Sequence, residues 1–197
     1  GVFEMDPLSQ IALLLINTAC SVFLMLVWLR FLLQASGADF YNPMSQFVVK
    51  ATSPILHPLR RVVPALFGLD FAALVLIFVV KLVQLSATAY LTEQAVTPAL
   101  LAVTTLFSLL LAASSFFFWL ILLMVILSWV SMASGGVSPA LMPIFQLSEF
   151  ILAPCRRLLP SMGGFDLSPI IAFLAIQIFE ILVKSAYPTA LALVGAA

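Results

Sequence analysis

Charge is what this sequence has least of. Of its 197 residues, 8% are Asp, Glu, Lys or Arg, against about 25% in an average soluble domain. Eight acidic residues match eight basic ones, so the formal net charge is zero. The basic face that a nucleic-acid binder needs is missing. With 64% hydrophobic residues and a mean hydropathy of +1.24, a water-soluble globule of this size could not hide its apolar surface. Cysteine and histidine are scarce too: Cys20, Cys155 and His57 are all there is. No CxxC, CxxCH or Cys/His cluster exists, so neither a zinc site nor covalent haem attachment is supported. One histidine cannot supply a bis-histidine haem. There is no Ser/His/Asp set, Gly-rich phosphate loop or carboxylate pair, so no enzyme and no cofactor are expected. The bilayer is the solvent that remains.

What the chain has instead is long apolar runs. Four stand out, about Leu8–Leu33, Phe71–Leu91, Ala99–Val130 and Pro169–Val194. Each reaches the roughly 20 residues that cross a bilayer core of about 30 Å. The third is too long for one upright helix, so it is expected to tilt or to start in the interface. The first is expected to be a retained span rather than a leader. Glu4 and Asp6 precede it without any Lys or Arg, and no A-x-A cleavage site follows. The predicted fold is an all-α membrane protein with four transmembrane helices.

Lysine and arginine predict the orientation. Lys50, Arg60 and Arg61 lie in the 34–69 connection, and Arg156 and Arg157 lie in the 132–167 connection. The N-terminus, the 92–98 loop and the C-terminal tail hold none. By the positive-inside rule both long connections face the cytoplasm and both termini face outward.

The chain also repeats at an offset of 96 residues. Pro43 matches Pro139, Pro58 matches Pro154, and Arg60-Arg61 match Arg156-Arg157. Pro64 matches Pro160, Gly68 matches Gly164 and Asp70 matches Asp166, without a gap. Residues 8–91 and 99–194 each read as span, proline-rich connection, span. Two spans separate equivalent points, so the units run parallel about an axis along the membrane normal.

Within the first connection, Asn42-Pro43 reads as the start of an amphipathic interfacial helix with Met44, Phe47, Val48, Ala51 and Ile55 on its apolar face. Ser138-Pro139 starts its counterpart. Prolines 58 and 64 are expected to bracket a short rigid piece and to stop the helix. Gly68 and Gly163-Gly164 would turn the chain back, and Asp70 and Asp166 would cap the returning spans.

The segments Asp39-Phe40-Tyr41-Asn42-Pro43-Met44-Ser45-Gln46-Phe47, Pro58-Leu59-Arg60-Arg61-Val62-Val63-Pro64 and Arg156-Arg157-Leu158-Leu159-Pro160-Ser161-Met162-Gly163-Gly164-Phe165-Asp166-Leu167-Ser168-Pro169 resemble the signature of the YggT family of membrane proteins. The resemblance covers about residues 8–191 and includes both family repeats. For bacterial members it implies a link to osmotic or extracytoplasmic stress and to ion uptake. For plastid relatives it implies assembly of the photosynthetic cytochrome b/f complex. It brings no catalytic residue.

Two sets of residues are candidate sites. Arg60, Arg61, Arg156 and Arg157 would bind anionic headgroups, a phosphate or an acidic partner, or would only orient the chain, paired with Asp70 and Asp166. Lys81, Gln84, Gln177 and Glu180 are polar groups inside spans. They would relay protons or cations, or Lys81 and Glu180 would pair across the two units; Lys184 offers Glu180 another partner. Arg30 is expected to snorkel, and Asn17 to bond between helices. The expected partners are anionic lipid at the cytoplasmic face and either a second copy or another membrane protein. Two functions stay open: a membrane scaffold or assembly factor, and a small ion channel or transporter subunit.

Overall fold

In a computed structural model, which describes residues 6–159 and 166–195, six α-helices follow one another. These are α1 (Pro7–Ala35), α2 (Pro43–Arg60), α3 (Phe71–Leu91), α4 (Pro98–Ser134), α5 (Met142–Leu158) and α6 (Ser168–Leu193), with a 3-10 turn at Pro139–Leu141 before α5. Helices α1, α3, α4 and α6 are long and apolar enough to cross a membrane. At 37 residues α4 measures about 55 Å. It is unbroken from the Thr97 cap, whose hydroxyl accepts from the Leu100 N–H, to the left-handed Gly135 at φ 83°.

Helices α1 and α3 pack together under α2, and α4 and α6 pack together under α5, while α3 meets α4 between the units. The repeat is visible in what the short helices bury. On α2 the face toward the spans is Val48, Thr52 and Leu56; on α5 it is Ile144, Ser148 and Leu152, the same positions 96 residues on. Thr52 and Ser148 are fully buried, yet each hydroxyl donates to the carbonyl four residues back at 2.8 Å. A small hydroxyl satisfied by its own helix lets the two backbones approach closely.

This corrects the expected apolar face of α2. Val48 is buried, but Phe47 and Ile55 are exposed, 63% and 47%. The helix turns Ser45 and Thr52 to the protein beside Val48 and Leu56, and leaves Phe47 and Ile55 outward. A second correction concerns the prolines. Helix α2 runs through Pro54 and Pro58 to Arg60, and α5 runs through Pro154 to Leu158. All three prolines lie on exposed positions, so the carbonyls they leave free open outward rather than into the core. The arginines therefore close the last turn of a helix, where cations meet the negative end of its dipole.

Besides the α3–α4 contact, the two units join at the end that carries α2 and α5. One buried cluster there combines Leu32, Leu33 and Val48 with Ile121, Leu147 and Leu152. Asn42 caps α2 by accepting from the Met44 N–H, and its amide donates to the Pro139 carbonyl of the other unit at 2.9 Å. The expected turn after α2 is present: Leu66 and Leu69 exchange both backbone bonds around Phe67 and Gly68, whose φ values are 54° and 77°. Its counterpart, with Pro160 and Gly163-Gly164, lies outside the described residues.

Candidate functional site

The two arginine pairs each divide into a bound member and an exposed one. Arg60 donates through Nε and Nη2 to Asp70 Oδ2, while Asp70 Oδ1 caps α3 by accepting from the Ala73 N–H. Asp70 is 1% exposed and the Arg60 side chain 29%, so this ion pair is buried on its acidic side. In the second unit Arg156 Nε donates to Asp166 Oδ2 at 3.0 Å, and Asp166 Oδ1 accepts from the Ser168 N–H at 2.9 Å. Both arginines thus hold the aspartate ten residues on, which in turn starts the returning span. The copies differ in burial. Arg156 and Asp166 are exposed, and Arg156 Nη1 adds Glu149, whose counterpart is Ser53. Burial acts to raise the Asp166 carboxyl, but its bonds from Ser168 and Arg156 outweigh that and hold it below the ordinary carboxylate value. Arg61 and Arg157 are exposed, leaving their guanidinium groups at the surface.

The polar groups within the spans fall into two separate sets. Lys81 Nζ donates to Gln84 Oε1 at 3.1 Å, and Gln84 Nε2 donates to Asn17 Oδ1 at 3.0 Å, joining α3 to α1. Glu180 pairs with Lys184 on its own helix at 3.1 Å. The Lys81–Glu180 pair that the sequence makes feasible is not formed. The repeat explains why: Gln84 matches Glu180, but Asn17 matches Ala113, which offers no partner. Glu180 therefore turns outward. Gln177 is exposed, and the side chains of Glu180 and Lys184 are 26% and 62% exposed, so a polar stripe at i, i+3 and i+7 lies on the outer face of α6. It falls at the middle of that span, the costliest depth for charge in lipid.

Arg30 was expected to snorkel and does the opposite. It is 8% exposed, with its Cζ 5.3 Å from the centre of the Phe40 ring. The repeat gave no signal of this, since its counterpart Ile126 is exposed. Cys155 is buried in the shared cluster as an apolar filler. Among the described residues no group of His, Cys, Asp and Glu has the arrangement of a metal site.

A family model described as CCB3/YggT matches residues 9–91 and 103–187. The chain is 42% identical to an uncharacterised protein of Pseudomonas aeruginosa over 91% of each chain. It is 39% identical to the uncharacterised protein YggT of Escherichia coli K12, over 84% of this chain and 85% of that one. A Haemophilus influenzae relative is 34% identical over 83% and 86%. No solved structure matches the chain.

Proposed function

The chain belongs to the CCB3/YggT family, with both family repeats matched, and from that premise we propose that it is a non-enzymatic membrane scaffold or assembly factor. The observation that carries this is the Gln177–Glu180–Lys184 stripe on the outer face of α6. Lipid tails cannot satisfy it, whereas a partner's transmembrane helix with polar groups at the same depth can. Exposed Arg61 and Arg157 form a second surface, suited to anionic headgroups or an acidic partner. In this reading the chain sits in the bacterial inner membrane, with the arginine end cytoplasmic and both termini periplasmic. It serves the osmotic or extracytoplasmic stress response.

The channel reading has less support. Lys81–Gln84–Asn17 and Glu180–Lys184 belong to different units, and among the described residues no hydrogen bond joins one set to the other. A conduction path needs such groups in sequence along one pore. The test is ion flux in liposomes reconstituted with the full chain. Electrically silent liposomes are expected. A conductance that Glu180→Gln alters would establish the channel instead.

A further inference from the structure

Arg30 is, among the described residues, the buried charged side chain that has no hydrogen-bond partner. Its Nε and Nη1 are sealed from solvent and donate to nothing, and Nη2 is the donor that reaches the surface. Its position is fixed by packing. The Asn17–Gln84 bond sets the register of antiparallel α1 and α3, and equal counts along both helices bring Asp70 level with Phe31, beside Arg30. The charges that act on Arg30 are Arg60, which repels it, and Asp70, which attracts it. Asp70 is already taken, by two donors of Arg60 and the Ala73 N–H. The Phe40 ring returns far less than the loss of a counter-ion costs. This corner of the fold therefore holds one positive charge in excess. The second unit has no such excess, because Ile126 replaces Arg30 and Glu149 adds an acid.

An apolar groove of about 340 Å³ lies where α2 meets α3, lined by Ile55, Pro58, Leu59, Val62, Leu76 and Val79, and so borders the Arg60 end of α2. We propose that the corner is a binding site for one anionic phospholipid. The phosphodiester accepts from Nη2 of Arg30, and a turn of the last side-chain torsion brings a second N–H to the same oxyanion. One acyl chain lies along the groove. The net positive charge selects an anionic headgroup over a zwitterionic one, whose ammonium Arg60 would repel, and the groove selects a lipid over free phosphate. The proposal goes beyond the scaffold reading and does not depend on which leaflet the corner faces.

The test uses the full chain in neutral detergent, with thermal unfolding followed after addition of dioleoylphosphatidylglycerol, dioleoylphosphatidylcholine or inorganic phosphate. The glycerol lipid is expected to raise the midpoint, and the other two are not. Arg30→Met removes the uncompensated charge at similar volume. Its midpoint without lipid should equal or exceed that of the parent chain, while its response to phosphatidylglycerol is lost. Val62→Trp fills the groove at an exposed position and leaves Arg30 intact; it should weaken the same response, and it carries the test if Arg30→Met does not fold. An unchanged response in either folded variant overturns the proposal. So does equal stabilisation by the choline lipid, or by inorganic phosphate alone. Ion flux in liposomes would sink the scaffold reading and leave this result untouched.

Discussion

Arg60 and Arg156 occupy the same place in the repeat, yet their removal should have different costs. Arg60→Ala strands the buried Asp70 carboxylate, a loss of about 3–5 kcal/mol for a broken interior pair. Arg156→Ala breaks exposed pairs worth about 1 kcal/mol or less. Arg61→Ala, at a surface position, should stay within about 0.5 kcal/mol. Unfolding of the three variants in mixed micelles checks the order, and equal losses at Arg60 and Arg61 would contradict it. Asp166 adds a pH dependence. Its carboxyl titrates lower when folded than when unfolded. Its stabilisation is thus complete above the unfolded value of about 4 and disappears as acid takes the pH through the lower, folded value. Asp166→Asn should flatten that acid limb. The sequence named both arginine pairs and both aspartates. It could not say which arginine of each pair is bound, because two adjacent residues on a helix differ by a turn of about 100° that only the packed neighbours resolve.

At the level of helices, the N-cap of α2 was legible and its orientation was not. Asn42-Pro43 announces a helix start by residue type alone, and the Asn42 side chain accepts from the Met44 N–H as that type requires. Its donor end reaches the Pro139 carbonyl, a contact that no local pattern encodes. Asn42→Ala should remove both bonds, about 2 kcal/mol from a cap and a buried hydrogen bond together. Asn42→Asp keeps the cap and loses the donor, so about half of that loss is expected. An Asn42→Asp variant as stable as the parent chain, read from denaturant unfolding in micelles, would show that the inter-unit bond contributes nothing. The face of α2 was misread for a physical reason. Hydrophobic periodicity marks the buried face only when the other face meets water. Here Phe47 and Ile55 go outward beside Lys50 and His57, and Thr52, bonded to its own helix, goes in. The prolines misled similarly: their penalty falls on carbonyls that, in α2 and α5, are free to open outward.

For the whole molecule, the two-unit plan was readable because the offset of 96 holds without a gap. Lateral packing was not, since apolar side chains take both buried and exposed positions on the spans. The functional content lies where the copies differ. The first unit keeps its mid-span polar groups inside, through Asn17; the second lacks that residue and sends Glu180 and Lys184 outward. An ion pair on the outer face at mid-span is costly against lipid and inexpensive against another helix that bonds to it. A photoreactive residue at position 177 should therefore crosslink in native membranes to a protein. The same residue at exposed Val22 of α1, away from any charged side chain of the spans, should label lipid. Glu180→Gln combined with Lys184→Met leaves the span uncharged and should abolish the protein adduct at 177 without changing insertion or expression. A protein adduct at Val22 equal to that at 177, or one at 177 that survives the double substitution, would mean that α6 faces lipid and that its charges serve something other than docking.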